Sequence, residues 1–160
     1  SREWYLNRIE AIQRIVPEAT ISTDLIIGFC GETEEQHQET LSLMDEVKFS
    51  FAYMYKYSER PKTLAERKYE DDVPEETKQR RLTEIIDLQH KHQLEYHKKE
   101  IGKTYEVLVE KVSKKSDEEY MGRNSQSSTC IFPKGDYQVG DYVMVKIIDY
   151  TKTTLIAELV

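Results

Sequence analysis

The chain has 160 residues and a formal net charge of −7, and 33% of its residues are charged. A protein that holds nucleic acid by bulk charge would normally be basic, so any RNA binding must come from a local patch. The longest apolar run, Leu25 to Cys30, is interrupted by Gly28 and is far shorter than the roughly 20 residues that span a bilayer. Because the chain has only two cysteines and no secretory signal, we expect a cytoplasmic protein without disulfides or a membrane partner.

The first helix and strand are predicted within the first 27 residues. Apolar side chains share one helical face until Pro17 ends the pattern: Tyr5, Ile9, Ile12 and Val16. Residues 20–27 are rich in β-branched side chains, which predicts a strand that is buried on both faces. The chain begins with Ser1, and the predicted helix is already under way by Trp4, so we expect a piece of a longer protein.

A glycine-rich turn, Gly28-Phe29-Cys30-Gly31, follows this strand and leads into an acidic helix start. Thr33, with Gln36 three residues later, predicts a capping box for that helix. Ligands bind at such strand-to-helix junctions in α/β folds. Glycine lets the backbone approach a flat ligand, and Ile26 and Phe29 would offer apolar surface to an adenine-like ring. The same residues also fit a tight connection that is packed in a core.

A second strand is predicted at residues 51–57, where aromatic residues alternate with Ala52, Met54 and Lys56. Helix–strand–helix–strand order is typical of a parallel α/β sheet, so this part is predicted to be a slice of an α/β fold. Two strands alone leave an exposed sheet edge. We expect that edge to pair with another copy, or residues 1–60 to be poorly packed.

The loop after the second strand lies where active-site loops lie in barrels. Lys56, at the end of the strand, is on the face opposite the tyrosines. It is a site candidate if that face lines a barrel, and a surface lysine otherwise. Ser58 and Arg60 follow it, and Arg60 could bind a phosphate or a carboxylate. Lys56, Ser58 and Arg60 are therefore predicted as a substrate-side loop.

The second half of the chain is predicted to be a long helix followed by a small barrel. Pro74 suits the start of a helix of about 25 residues, which Gly102 stops. Short alternating strands are predicted at residues 105–109, 129–132, 142–147 and 153–159, separated by turn signals. Several short strands in about 60 residues predict a small antiparallel barrel. The predicted domains are residues 1–73, a connecting helix at 74–101 and the barrel at 102–160.

Isolated cysteines and histidines do not predict a metal centre in this chain. Cys30 has no second cysteine or histidine near it in sequence, and a lone cysteine at a strand end is more typical of a small buried side chain. His90 and His92 are two positions apart and do not share a helix face. We expect all four histidines to be solvated helix residues: His37, His90, His92 and His97. Neither a metal ligand nor a catalytic residue is predicted.

Basic, polar and aromatic residues lie near the ends of the predicted barrel strands: Lys114, Lys115, Tyr120, Arg123, Asn124, Phe132 and Lys134. Such groups on a small barrel hold single-stranded RNA by charge and base stacking. However, residues 101–160 contain eight Lys/Arg and nine Asp/Glu, so the barrel as a whole is slightly acidic. The residues alone therefore leave two alternatives, an RNA-binding barrel and a generic adaptor barrel.

The ordered motifs of the chain resemble the MiaB-type methylthiotransferases, a family of radical S-adenosylmethionine enzymes. The resemblance covers nearly the whole chain and rests on residues 21–35, 57–61, 72–76, 107–110, 113–116 and 122–124. It identifies the chain as the C-terminal half of such an enzyme. The implied fold is the last slice of a radical SAM partial (βα) barrel followed by an OB-like TRAM barrel, an RNA-binding module.

The resemblance also implies an activity and its cofactors. Members of the family that act on tRNA add a methylthio group to C2 of an isopentenylated adenosine beside the anticodon. They use S-adenosylmethionine and two 4Fe-4S clusters, whose ligands are clustered cysteines. This chain has no such cysteines, so we expect a missing N-terminal part to supply the clusters and the chain by itself to be inactive.

The family's adenine-binding motif maps onto five residues of this chain: Ile26, Gly28, Phe29, Gly31 and Glu32. The chain departs from the family pattern at Cys30, where proline is frequent, and at Lys62, where glycine is common. Two alternatives stay open. One is the sister enzyme that methylthiolates an aspartate of a ribosomal protein, although the basic residues of the barrel favour tRNA. The other is a non-enzymatic RNA-binding or adaptor protein.

Overall fold

A computed structural model describes all 160 residues. The helices are α1 Arg2–Ile15, α2 Glu34–Val47, α3 Leu64–Lys68 and α4 Glu75–Lys98. The strands are β1 Ser22–Ile27, β2 Phe51–Lys56, β3 Thr104–Val112, β4 Glu119–Asn124, β5 Thr129–Pro133, β6 Tyr142–Tyr150 and β7 Leu155–Leu159. The chain forms two compact units, residues 1–15 with 20–92 and residues 16–19 with 93–160. None of the helices has both the length and the apolar character that crossing a membrane requires.

The first unit is built on a two-stranded parallel sheet of β1 and β2, with Ser22 opposite Phe51 and Ile27 opposite Lys56. The predicted helix–strand–helix–strand order is confirmed. One face of the sheet packs on the helices in a single core, whose buried members are Ile9, Ile27, Met44, Val47, Phe49 and Ile85. Gln89 on α4 anchors that helix to the core, because its buried amide donates to the Phe49 carbonyl at 2.8 Å.

The other face of this sheet is exposed, which corrects the prediction that β1 is buried on both faces. Ile26 on β1 is 60% exposed, and the aromatic residues of β2 are also largely exposed: Phe51, Tyr53 and Tyr55. All the helices that join the first core pack on the opposite face, so no element of this unit covers the aromatic side. The two-stranded sheet also has the predicted unpaired edges. The alternative prediction that residues 1–60 are poorly packed is wrong, because these residues supply most of the first core. Pairing of an edge with another copy stays a prediction.

The second unit is a closed five-stranded barrel with strand order β3-β4-β5-β7-β6. The predicted small barrel is confirmed, but β5 and β7 pair in parallel, so it is not wholly antiparallel. Strand β4 was missing from the sequence prediction. Its Gly122 lies against β3, where an added Cβ would come within 2.2 Å of the Leu108 carbonyl oxygen. Only glycine fits at this point of the β3–β4 pair.

Helix α4 confirms the long helix predicted after Pro74. It has 24 residues, and its first turn includes the amide of Lys78, which donates to the Pro74 carbonyl at 3.0 Å. Glu75 and Glu76 lie in that turn, where negative charge favours the positive end of the helix dipole. The helix ends at Lys98, and Gly102 follows in the left-handed region with φ 84°.

Candidate functional site

The junction between β1 and α2 is a tight turn, which we call the glycine turn and define as residues 28–32. Gly28 and Gly31 have positive φ values of 68° and 76°. The Glu32 amide closes the turn by donating to the Phe29 carbonyl at 2.8 Å. Cys30 occupies the second turn position, which favours proline. The capping box predicted for α2 is confirmed, since Thr33 and Gln36 exchange both hydrogen bonds.

The sequence suggested that position 28 is glycine so that a ligand can approach the backbone, but the structure shows a different reason. An added Cβ would lie 2.5 Å from Cγ of Lys78, so the side-chain stem of Lys78 fills the space. Lys78 is 3% exposed and its ammonium group binds the Asp71 carboxylate at 2.5 and 2.6 Å. The close approach at Gly28 is thus made by α4, and it does not require a ligand.

Arg81, one turn after Lys78 on α4, also holds the glycine turn. Its guanidinium donates to the Glu32 carbonyl at 3.0 Å and to Oε1 of the same residue at 2.7 Å. The remaining terminal nitrogen donates to Glu34 at 3.2 Å. On the other side, the Gly31 amide donates to Oδ1 of Asp72 at 2.6 Å. Both backbone and side chain of the turn are therefore fixed by residues 72–81.

Two of the five predicted cofactor residues present free apolar surface. Ile26 is 60% and Phe29 is 39% exposed, and the Phe29 ring packs edge-on against Tyr57 with a centroid distance of 4.9 Å. An added Cβ at Gly31 would meet nothing within 4 Å, so that side of the turn is open. Glu32, by contrast, is occupied by Arg81. Ile26, Phe29 and Gly31 are therefore each open to solvent at the end of β1, and we call these three residues the ledge.

The predicted substrate-side loop divides between two environments. Lys56 lies on the helix-covered face of the sheet and binds Glu75 and Gln79 of α4, so it does not share a face with the tyrosines. Ser58 and Arg60 are exposed. The backbone carbonyl of Arg60 accepts the hydroxyl hydrogen of Thr63 at 2.8 Å. Their role toward a substrate stays a prediction.

Lys62 has φ 69° and so occupies a conformation that favours glycine. Glycine at this position would relieve the backbone strain of the folded chain. The free energy gained in this way exceeds the cost of making the unfolded chain more flexible. We therefore expect Lys62→Gly to raise the free energy of unfolding by about 0.5–1 kcal/mol. Chemical denaturation measures this, with Ala65→Gly in α3 as the control that should destabilise by about 1 kcal/mol. Two equally destabilised variants would contradict the strain argument.

The expectation of solvated histidines is wrong for three of the four. His37, His92 and His97 are buried, and they bond to Glu84, Asp45 and the Thr151 carbonyl respectively. Their partners lie 47 to 54 residues away in sequence, so helical spacing gave no sign of them. These contacts tie helices to their neighbours and account for the histidines without a metal.

Glu34, His37 and Glu84 place one ligand atom each within 4.8 Å of one another, which is close enough to hold an ion. Arg80 already binds both carboxylates, at 2.6 Å to Glu34 and 2.7 Å to Glu84. His37 Nε2 also lies 2.6 Å from Glu84. Because a guanidinium neutralises the cluster, we assign no metal to it.

The Arg80 ion pair makes the stability of the first unit depend on pH. Hydrogen bonding from Arg80 lowers the pKa of Glu34 from its ordinary 4.5 to about 2. The pair therefore stabilises the folded chain above the ordinary pKa, and its contribution is lost as pH falls towards the lowered value. We expect the Tm difference between wild type and Arg80→Met to shrink from about pH 5 to about pH 2. A difference that stays constant over this range would contradict the assignment.

Five of the predicted RNA-binding residues lie where RNA could reach them. Lys114, Lys115, Arg123 and Lys134 are exposed, and Tyr120 is half-buried. The ammonium group of Lys134 lies 5.4 Å from the centre of the Tyr120 ring. The Tyr120 hydroxyl donates to the carbonyl of Tyr137, an exposed residue that the sequence prediction missed. We call Tyr120, Lys134 and Tyr137 the barrel patch.

The other two predicted RNA-binding residues are corrected by their burial. Phe132 is 1% exposed and belongs to the barrel core, so its ring cannot stack on a base from this position. Asn124 is also buried, and its side-chain carbonyl accepts the amides of Gln126 and Ser128 at 3.1 and 2.9 Å. Asn124 therefore shapes the turn between β4 and β5.

The two cysteines do not form a cluster. Cys30 is half-buried in the glycine turn, and Cys130 is fully buried in the core of the barrel. Burial raises the pKa of the Cys130 thiol to about 12. A thiol that is protonated at neutral pH and closed off from solvent is neither a metal ligand nor a nucleophile.

Comparison with known proteins gives matches over the whole chain. Residues 98–160 match the TRAM domain family. The chain is 59% identical over its full length to tRNA-2-methylthio-N(6)-dimethylallyladenosine synthase of Flavobacterium johnsoniae, of which it covers 33%. Proteins of the same name from Christiangramia forsetii and Bacteroides fragilis are 56% and 50% identical over 99% of the chain, which covers 33% and 35% of them.

Among solved structures, the apo form of Mycoplasma genitalium RNase R matches 60% of the chain, which covers 19% of that protein, with a TM-score of 0.36 and 14% identity. A likeness at that level supports no conclusion. The curated relatives are informative, and the chain spans about a third of their length. The predicted resemblance is confirmed: the chain matches the C-terminal third, rather than half, of proteins named tRNA-2-methylthio-N(6)-dimethylallyladenosine synthase, and it contains a TRAM domain.

Proposed function

We propose that this chain is the C-terminal part of a cytoplasmic enzyme that adds a methylthio group to C2 of N6-isopentenyladenosine next to the tRNA anticodon. The observation that carries the proposal is its 59% identity, over its full length, to a protein named for that modification. In this proposal the first unit is the last slice of a radical SAM barrel. The missing N-terminal part of the same protein would complete that barrel along the open sheet.

The ledge formed by Ile26, Phe29 and Gly31 suits the adenine of S-adenosylmethionine. Its apolar side chains are exposed at the end of a parallel strand, and the open side of Gly31 leaves room for a ring. When bound, S-adenosylmethionine would supply the radical that activates C2 of the substrate adenosine. This chain would contribute the adenine-side wall of its site and keep water from that face.

The residues of this chain do not fit an iron–sulfur cluster. A four-iron cluster takes several thiolates, and the two cysteines present lie in different units, one of them fully buried. We derive no step through a cluster from these residues. The two 4Fe-4S clusters of the proposed enzyme would be held outside this chain, which by itself would be inactive.

The barrel patch is the proposed contact with tRNA. Tyr120 and Tyr137 offer aromatic surface, Lys134 adds charge above the Tyr120 ring, and Lys114 and Lys115 lie in the loop after β3. Aromatic surface combined with local positive charge is how small barrels hold single-stranded RNA. A local basic patch is also compatible with the negative net charge of the chain, because the affinity for RNA need not come from net charge.

Lys134→Ala in the full-length protein should weaken tRNA binding by about three- to tenfold and reduce the salt slope of log K by about one. The reason is that one phosphate contact and its released counterion are lost. Lys146→Ala is the matched control, because Lys146 lies on β6 beside Glu158 and outside the patch. Filter binding at several salt concentrations measures both. Equal losses for the two variants would contradict a localised RNA surface.

Nucleoside analysis of bulk tRNA from a deletion strain tests the proposed reaction. We expect 2-methylthio-N6-isopentenyladenosine to disappear and N6-isopentenyladenosine to accumulate, and the full-length gene to reverse both changes. Unchanged tRNA together with loss of a methylthio group from a ribosomal protein would transfer the assignment to the sister enzyme. Unchanged tRNA and ribosomal proteins would favour an adaptor without catalysis.

A further inference from the structure

We propose that the first turns of α4 brace the glycine turn and that Arg81 is a positioning residue for S-adenosylmethionine binding. The inference rests on the proposed function, because the ledge is taken to be the adenine wall. It goes further by assigning the geometry of that wall to a helix outside the β1–turn–α2 motif. The residues concerned are separated from the turn by about 50 positions, with Arg81 and Glu32 49 residues apart.

Arg81 makes contacts that act on the shape of the turn. One terminal nitrogen binds the carbonyl and the carboxylate of Glu32 at the same time, which fixes the backbone and the side chain of one residue together. The side chains of Arg81 and Glu32 are 5% and 14% exposed, so water screens this ion pair little. A two-point contact of this kind restricts the peptide plane that follows Glu32.

Lys78 supports the turn from the strand end. Its stem fills the space beside Gly28, and its ammonium group is held by Asp71. Asp72, the next residue, accepts the Gly31 amide. The turn is thus held at its first, fourth and fifth residues. Phe29 lies between these anchors, and Ile26 lies two residues before the first of them.

Arg81 is poorly explained by stability alone. Its Nε is buried without a hydrogen-bond partner, although its terminal nitrogens are directed to the turn. A buried guanidinium with an unpaired N–H is costly compared with an apolar side chain of similar size. The adjacent Arg80 gives the contrast, since its exposed ion pairs with Glu34 and Glu84 leave the backbone of the turn untouched.

Arg81→Lys and Arg80→Lys form a matched pair of variants for the full-length, cluster-loaded protein. Both keep a positive charge and good helix propensity, but lysine cannot reproduce the guanidinium fork. We expect Arg81→Lys to raise the Kd for S-adenosylmethionine about tenfold or more, and Arg80→Lys less than about twofold. The KM for tRNA should change less than about twofold in both, because the barrel patch is not altered.

Hydrogen exchange of residues 28–33 without S-adenosylmethionine is a second readout that needs neither binding nor activity. We expect faster exchange of the Gly31 and Glu32 amides in Arg81→Lys only. The proposal is overturned if Arg81→Lys binds S-adenosylmethionine like wild type, whether or not exchange changes. If wild type itself binds no S-adenosylmethionine, the proposed function and the positioning role both fail, and exchange still decides whether the brace exists.

Discussion

Phe132→Ala is expected to lower the free energy of unfolding of the barrel by about 3–5 kcal/mol. Phe132 is one of the largest fully buried side chains and packs in a core whose buried members come from β3, β5, β6 and β7. Truncation removes a buried ring and leaves a cavity that a closed barrel cannot easily collapse. Urea denaturation of the chain, followed by circular dichroism, measures the loss.

The variant Phe132→Leu distinguishes a role of Phe132 in the barrel core from a role in stacking on RNA bases. Leucine keeps most of the buried volume, so this variant should lose less than about 1.5 kcal/mol. Since Phe132 does not reach the surface, tRNA affinity at a temperature where the variant is folded should match wild type. A folded Phe132→Leu protein that binds tRNA tenfold more weakly would restore the original sequence prediction and contradict the burial.

Gly28→Ala is expected to destabilise the first unit by about 2–4 kcal/mol. Two costs combine, because Gly28 has a positive φ and because the new methyl group would lie 2.5 Å from the stem of Lys78. Lys78 cannot swing away without breaking its partly buried ion pair with Asp71. Urea denaturation again gives the free energy.

Gly31→Ala is the matched control, since Gly31 also has a positive φ but has open space around it. Only backbone strain remains, and we expect a loss of about 1 kcal/mol. The difference between the two alanine variants therefore measures the contact with Lys78. Equal losses would mean that Lys78 adapts freely and that α4 does not brace the turn.

Local chemistry was sufficient to predict much of the first unit. Thr33 and Gln36 predict the start of α2 because a capping box satisfies its own backbone donors within four residues. Pro74 predicts the start of α4 for the same kind of reason, since a missing N–H costs nothing in the first turn. The exposure of Ile26 did not follow in this way, because its strand was predicted to be buried on both faces.

The direction in which side chains face was harder to predict. In β5, Cys130 and Phe132 point inward and Ile131 points outward, although all three are apolar. A period of two separates the faces of a strand but does not say which one is buried when both carry apolar residues. The same limit applies to β2. Its aromatic face is the exposed one, and Lys56 lies on the other face.

Contacts between distant segments left little trace in the sequence. Lys78 is at the end of the first turn of α4, near the positive end of the helix dipole, where a basic side chain is unfavourable and so indicates a partner elsewhere. Arg81 lies one turn later, and its position in the helix gives no such signal. Strand β4 was missed because its two buried positions are Gly122 and Asn124, neither of which has an apolar side chain. The need for glycine at position 122 is visible only in the folded barrel, where the Leu108 carbonyl lies against it.

Photolabelling of the full-length, cluster-loaded protein with 8-azido-S-adenosylmethionine tests the central claim most directly. Trypsin cuts after Arg14 and Lys48, so the glycine turn lies within one peptide, residues 15–48. We predict that labelling competed by S-adenosylmethionine falls within residues 26–32 of that peptide. Competed labelling elsewhere in the protein, with none in this peptide, would contradict the assignment of the glycine turn as the adenine-side wall.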